Sequence, residues 1–336
     1  MTKVFIYGMG RIGRVVTRLI LESFSNDFLI VGFGDQYLSP TDCAYLLKYD
    51  TVYGVSPFAD EITAEESAIV IQGQQIQYYQ NVVPINIPLG ELDVKIVIDC
   101  SGALSADTAS EDFLTAGARR VVQLYPGSNT TKKVVYLIND SDVEAEDKII
   151  TTGSCTTQAL AYIAKVLNDN YGIEYGEVTS LHAYTNDQAT NDSVSIQLPR
   201  GRAAAQNIVP TTTNANRLIG RVIPALNGKF YGKAYRVPVL DGSLIQVTAV
   251  VSSSVTVDDV NAAFKANSNE CLGNSEDPIV SSDCINQDPT VIVLLSQTVV
   301  NQQMVIISGI YDNERGFALN SLNSIKSINN NQWKNI

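Results

Sequence analysis

The sequence predicts an α/β chain in two domains, a parallel-sheet domain followed by an α+β domain with a mixed sheet. Three observations carry this. Up to about residue 153, short β-rich runs alternate with helical patterns. A glycine-rich turn, Gly8-Met9-Gly10-Arg11-Ile12-Gly13, joins the first run to the first helical stretch. Beyond Gly153 the alternation gives way to longer strand-like runs separated by loops.

In the first domain, Lys3–Tyr7 reads as a strand, and Val15, Val16, Leu19 and Ile20 recur at helical spacing. Leu29–Phe33 is a second strand. Leu92–Ile98 is a third, nearly continuous in apolar residues, as a strand buried on both faces should be. Ser105–Ala116 reads as a helix, and Arg120–Gln123, Val134–Ile138 and Lys148–Thr151 as further strands. In the second domain, Thr156–Asn168 is helical and Glu177–Tyr184 a strand. Asn186–Asn207 has no periodicity and reads as a long loop, a length usually associated with function. Ala234–Leu240, Leu244–Ser252 and Met304–Ile310 read as strands, and Val257–Ala266 as a helix. A last helix, about 317–328, ends in an Asn-rich tail expected to fray. The division is 1–153, 154–314 and a C-terminal segment 315–336 that returns to the first domain.

Composition narrows the function classes. A chain this long buries roughly 75% of the surface it exposes when unfolded, so it needs no disulfide or metal to fold. Net charge is −12, with no basic cluster, which predicts no capture of nucleic acid or of an anionic membrane. The cysteines, Cys43, Cys100, Cys155, Cys271 and Cys284, are odd in number and contain no CxxC pair. That argues against a disulfide framework or a zinc site and fits a reducing compartment. The residues before Val4 leave no room for a signal peptide, and no apolar run approaches the ~20 residues of a membrane span. The expectation is a soluble cytoplasmic protein without a bound metal.

The glycine turn fits GxGxxG in its proper context, after a strand and before a helix. Gly8 would allow the tight turn, Gly10 would let the backbone approach a pyrophosphate, and Gly13 would let helix and strand pack closely. Amides at the helix start, including those of Arg11 and Ile12, would face the phosphates. Asp35 lies just past the second strand, 22 residues after Gly13, where a carboxylate can accept from ribose hydroxyls and repel a 2′-phosphate. Together these predict a Rossmann-type site for NAD. Each part alone also fits an ordinary turn.

Cys155, in Gly153-Ser154-Cys155-Thr156-Thr157, directly precedes a helical run. The positive end of a helix dipole is expected to lower its thiol pKa. His182, the single histidine, ends a strand beside a polar loop. A thiol and an imidazole together make a nucleophile and proton shuttle. Taken separately, each is more simply a structural residue.

At this point the chain resembles the phosphorylating glyceraldehyde-3-phosphate dehydrogenase family over nearly its whole length. The resemblance runs through GMGRIGR at the start, KYDTVYG at 48–54, GSCTTQALAYIAKVL at 153–167 and LHAYTNDQ at 181–188. It continues with RGRAAAQNIVPTTT at 200–213, VIPALNGKFYGKAYRVP at 222–238 and YDNERG at 311–316. The 27-residue interval from Cys155 to His182 also matches. The resemblance implies a Cys155 thiohemiacetal and thioester, with His182 as acid and base and the Cys155 N–H as an oxyanion donor. It implies Asn313 at the nicotinamide carboxamide and places Ser101 and Leu124 with the NAD-binding residues. Thr185 and Arg236 would hold the phosphate of glyceraldehyde 3-phosphate. Ser154, Thr156, Arg200, Thr213 and Asn214 would line the site of attacking inorganic phosphate. A homotetramer follows by the same resemblance.

The sequence departs from the family at several of these places. Gln158 stands for Asn, Asn214 for Gly, Leu124 for Ser or Thr, Arg315 for Trp, Pro199 for Arg and Val194 for Pro. If residue 214 needs φ > 0, Asn is the most tolerable replacement. The loop from Asp192 to Arg200 is shorter and has lost basic residues. These changes leave two other readings open: a related dehydrogenase, such as one oxidising erythrose 4-phosphate with water cleaving the thioester, and a non-enzymatic paralogue with a binding role.

Overall fold

The computed structural model describes residues 1–102 and 107–334. The chain divides into two compact units, Met1–Gly153 with Ser321–Ile336, and Ser154–Asn320.

Unit 1 begins with β1 (Thr2–Tyr7), α1 (Arg11–Ser23), β2 (Phe28–Asp35) and α2 (Pro40–Lys48). A small hairpin, β3 (Tyr49–Asp50) and β4 (Gly54–Val55), precedes a meander of β5 (Ile62–Ala64), β6 (Ala68–Ile71) and β7 (Gln74–Gln80). Then come β8 (Ile96–Asp99), α3 (Asp107–Thr115), β9 (Arg120–Gln123), β10 (Lys132–Lys133) and β11 (Ile149–Thr151). Among the described residues the main sheet has the order β10-β11-β9-β8-β1-β2-β7-β6-β5, parallel from β10 to β7. The chain leaves β1 toward β2 and later returns to its other side at β8. The order therefore reverses between β1 and β8, and the crevice beyond their carboxyl ends is where such sheets bind nucleotides. Val4, Phe5 and Ile6 of β1 and Ile96, Val97 and Ile98 of β8 are fully buried, as strands covered on both faces require.

Unit 2 opens with α4 (Cys155–Tyr171), followed by β12 (Ile173–Ala183), β13 (Val209–Thr211), α5 (Ala215–Val222), β14 (Phe230–Val237) and β15 (Ser243–Val251). Next are α6 (Val257–Ala266), β16 (Leu272–Ser275), β17 (Val291–Leu294), β18 (Val299–Asn301), β19 (Met304–Tyr311) and α7 (Arg315–Asn331). The sheet order is β13-β14-β12-β15-β19-β17-β16, with β18 on β19. It is mixed: β12 pairs β14 in parallel and β15 antiparallel. Along β15, buried Ile245, Val247, Ala249 and Val251 alternate with more exposed residues, the two-residue period of a sheet with one covered face. The helix α4 packs against β15 and α5.

Several expectations shift. Only the end of Leu92–Ile98 is strand, because Asp93 takes a left-handed φ of 52° in the turn before it. Val134–Ile138 is not a strand: the Asn139 side chain accepts from Val135 N and donates to Lys133 O, and Leu137 has φ 59°. Such side-chain bonds compete directly with a ladder. The start of the Ser105–Ala116 helix lies outside the described residues. The loop 186–207 carries just two short 3-10 turns, at Leu198–Gly201 and Ala204–Gln206.

The C-terminal segment differs in two ways. The expected break at residue 315 coincides with the start of α7, but the division between the units falls inside that helix, whose residues through Asn320 group with unit 2. The Asn-rich end is helical rather than frayed. Asn329 Nδ2 donates to Thr2 Oγ1 at 3.0 Å, and Trp333 is 1% exposed with Arg120 over its ring.

Candidate active site

In unit 1 the site is largely main chain. Gly8 directly follows β1 with φ 89°, and a Cβ there would meet the Ser101 backbone at 2.5 Å. A Cβ on Gly13 would run into the Gly8 carbonyl, whereas one on Gly10 would meet nothing within 4 Å. Gly10 is the N-cap of α1 and supplies no side-chain cap, so the first amides of the helix face outward without that acceptor. These features fit a pyrophosphate cradle. Asp35 closes β2 as an 8% exposed carboxylate. Its Oδ2 accepts from Met9 N (2.7 Å), and its Oδ1 from Tyr37 N and Leu38 N (2.7 and 2.9 Å). The carboxylate is thereby fixed to both the glycine turn and the loop after β2.

Other predicted residues of this half are placed differently from one another. The Arg11 guanidinium turns to Asp50 and lies over the Tyr53 ring, so its side chain is committed away from the turn. Ile12 is half-buried in the first turn of α1. Ser101, after β8, donates through N and Oγ to Asp99 Oδ1 (3.0 and 2.7 Å). Leu124 follows β9, is 5% exposed, and donates through its N to Asp99 O at 2.8 Å.

In unit 2 the site is made of side chains. Ser154 caps α4, its Oγ accepting from Thr157 N, and Cys155 is the first helical residue. Its Sγ lies 3.3 Å from His182 Nε2. Residues 182 and 236 are directly paired across β12 and β14, which brings Arg236 to the imidazole. His182 Nδ1 is 2.7 Å from Ala183 O and 3.0 Å from Arg236 Nη1. Nδ1 thus meets both an acceptor, the Ala183 carbonyl, and a donor, the Arg236 guanidinium, while Nε2 faces the thiol. Arg236 Nη1 also donates to Ala183 O (2.8 Å) and Thr185 Oγ1 (3.0 Å). Thr185 bonds Asp187, which pairs with Arg200, and Arg200 Nε donates to Thr211 Oγ1 at 2.9 Å. Cys155, His182, Arg236, Thr185 and Arg200 thus form one continuous polar chain.

The helix-start argument for a lowered thiol pKa is overturned. Burial pushes the Cys155 thiol up to about 11, with the Arg236 guanidinium pulling the other way. Burial, and then Arg236, pull His182 down to about 3. The resting pair is therefore a neutral thiol against a neutral imidazole, a hydrogen-bonded base ready to take a proton.

Thr156 Oγ1 and Ser180 Oγ each lie 3.0 Å from the Tyr311 hydroxyl, and the Tyr311 ring stands edge-on to His182. Asn313 Oδ1 accepts from Ser243 Oγ at 2.6 Å, and Ser243 Oγ accepts from Ala183 N at 3.0 Å. Thr213 and Asn214 engage locally at the start of α5, with Ala215 N to Thr213 Oγ1 and Arg217 Nη2 to Asn214 Oδ1. Asn214 has φ −99°, so no left-handed backbone is needed there and the proposed reason for tolerating Asn does not apply. Arg315 pairs with Asp288. Sequence reasoning missed Tyr311, Asp187 and Ser243. The first two lie inside motifs quoted for the resemblance, but Ser243 emerges from register alone, opposite Tyr311 across β15 and β19. Among the described residues, no three His, Cys, Asp or Glu side chains are grouped to hold a metal.

Residues 2–107 match the family model described as glyceraldehyde 3-phosphate dehydrogenase, NAD binding domain, and residues 154–313 match that of its C-terminal domain. The chain belongs to the glyceraldehyde-3-phosphate dehydrogenase family. It is 38% identical over 325 residues to the glyceraldehyde-3-phosphate dehydrogenase of Clostridium pasteurianum, covering 94% of this chain and 95% of that protein. It is 39% identical to the protein of that name from Clostridium acetobutylicum, with the same two coverages. The Bacteroides fragilis protein of that name is 37% identical, over 99% of this chain and 95% of its own. Family membership gives unit 1 its cofactor, NAD, and makes the chain an oxidoreductase.

Proposed function

We propose that the chain oxidises glyceraldehyde 3-phosphate to 1,3-bisphosphoglycerate with NAD and inorganic phosphate. The observation that carries this is the 3.3 Å contact between Cys155 Sγ and His182 Nε2, inside a chain of this family. His182 takes the thiol proton as Sγ attacks the aldehyde carbon. The imidazolium returns that proton to the oxyanion, giving a thiohemiacetal. The Cys155 N–H, at the first position of α4 where helices leave their amides without an intrahelical acceptor, is assigned as the second donor to that oxygen. NAD, when bound, supplies the hydride acceptor. His182 removes the hydroxyl proton as the C1 hydrogen departs, leaving a thioester on Cys155. A phosphate oxygen then adds to the thioester carbon and expels the thiolate, releasing an acyl phosphate.

Thr185 and Arg236, already hydrogen-bonded to each other, are assigned to the substrate phosphate. Ser154, Thr156, Arg200, Thr213 and Asn214 are assigned to the attacking phosphate, Asp35 to the adenosine ribose and Asn313 to the nicotinamide carboxamide. Five free cysteines support a reducing, cytoplasmic setting. The 186–207 loop exposes Val194, Ile196 and Leu198 at 98%, 105% and 81%, an apolar surface that supports burial between subunits of a homotetramer.

The test is NADH formation from glyceraldehyde 3-phosphate with and without inorganic phosphate. Steady turnover should require phosphate, and Cys155→Ser should abolish it. NADH formation indifferent to phosphate would point to water as the acyl acceptor and overturn the phosphorylating reading.

A further inference from the structure

Asp99 is the last residue of β8 and is 0% exposed. It stands at the carboxyl end of the strand that borders β1 on the side away from β2. Its carboxyl group accepts three bonds from two segments of unit 1. Ser101 N and Ser101 Oγ donate to Oδ1 at 3.0 and 2.7 Å, and the Tyr125 hydroxyl donates to Oδ2 at 2.7 Å. The Asp99 carbonyl accepts from Leu124 N at 2.8 Å. Asp99 therefore ties the turn after β8 to the end of β9. It holds both residues of this edge, Ser101 and Leu124, that the family resemblance places with NAD. Tyr125 is fixed in turn by β11: Thr151 Oγ1 donates to its carbonyl, and Gly153 N donates to Thr151 Oγ1 at 3.0 Å.

The position of this cluster gives it a purpose. A dinucleotide lies across the crevice at the strand-order reversal, with one nucleotide on each side. Asp35, at the end of β2, is assigned to the adenosine ribose, which leaves the β8–β9 edge for the nicotinamide nucleotide. The adenosine side has its own carboxylate, held by Met9 N, Tyr37 N and Leu38 N. On the opposite side Asp99 is held by Ser101 and Tyr125 instead. We infer that Asp99 and Tyr125 are positioning residues for the nicotinamide half of NAD, the phenol holding the carboxylate and the carboxylate holding Ser101 and the end of β9. This rests on NAD lying in the crevice of unit 1 with its adenosine at Asp35. A buried carboxylate is stable only while its oxygens are bonded, so loss of the Tyr125 hydroxyl is felt at Asp99 and, through it, at Ser101.

The experiment compares NAD with AMP, which carries the adenosine side alone, in equilibrium titrations of the full-length protein. Tyr125→Phe keeps the ring and removes one hydroxyl. It should weaken NAD about tenfold, the worth of one hydrogen bond to a charged group. AMP should bind as tightly as to the wild type. The split separates positioning from a merely structural role, because a general loosening of unit 1 would weaken both ligands alike. Equal losses for NAD and AMP overturn the proposal, and so does an unchanged NAD affinity. Should Tyr125→Phe fail to fold, hydrogen exchange of the wild type decides. The Ser101 amide must be protected before any NAD is added, and exchange at the rate of an open loop overturns the proposal. A wild type that binds AMP but no NAD sinks the cofactor reading and the positioning role with it, whereas normal wild-type binding with an indifferent variant sinks the positioning role alone.

Discussion

Around the glycine turn of unit 1, the groups that matter are backbone amides, missing side chains and one carboxylate held by three N–H donors. Around Cys155 in unit 2, they are side chains delivered by the start of α4, by β12, by β14 and by the 186–207 loop. The first arrangement is local in sequence and the second is assembled by strand register. The two should therefore fail independently, and in different observables.

The largest effect is expected from His182→Asn. Removing the base should lower kcat/KM by about 10²–10⁴-fold while NAD affinity, measured by fluorescence titration, stays unchanged. An equal loss of NAD affinity would break the separation. Next is Gly13→Ala, whose methyl group would meet the Gly8 carbonyl. It should cost about 1–3 kcal/mol of stability in denaturant titration and weaken NAD binding, while alkylation of Cys155 by iodoacetamide keeps its wild-type rate. The smallest effect sharpens unit 2 alone. The single imidazole should show no NMR titration between about pH 5 and 8, because burial and Arg236 hold it down to about 3. In Arg236→Gln the resonance should begin to titrate at higher pH, toward the ordinary 6.5. An unchanged value would remove Arg236 from the electrostatics of the pair.

Linkage follows with opposite signs at two places in unit 2. His182 has a folded value below 6.5, so the unfolded chain protonates first. Its contribution to stability is present above pH 6.5 and is lost as pH falls toward about 3. Asp241 is raised from 3.8 to about 8, so its contribution is present below 3.8 and lost as pH rises through about 8.

The contrast between the units also explains what was legible beforehand. The β1–turn–α1 unit and Asp35 obey short-range rules of spacing and periodicity, and the sequence displays them openly. The Cys155–His182 pair needed the family motifs to become more than two isolated residues. Arg236 beside the imidazole comes from the pairing of β12 with β14, and no spacing rule spans that interval. The direction of the thiol shift differs from the expectation because a helix-start argument omits desolvation, the largest influence on this half-buried thiol. Strands such as Gln74–Gln80 escaped notice because their glutamines carry little apolar alternation.

The last helix has a consequence for biosynthesis. Unit 1 is built from two stretches that lie on either side of unit 2 in the chain. Thr2 bonds Asn329, Asp27 pairs with Lys326, and Asp140 accepts from Ser327. Domains commonly complete themselves in order of synthesis. Here the N-terminal sheet must wait for residues 326–329, made after the whole of unit 2, before these contacts can form, while Ser154–Asn320 emerges as an uninterrupted stretch. A chain truncated after Asn320 should therefore protect unit 2 from protease while unit 1, without Lys326, Ser327 and Asn329, is open to cleavage, the reverse of the order in which their first residues were made.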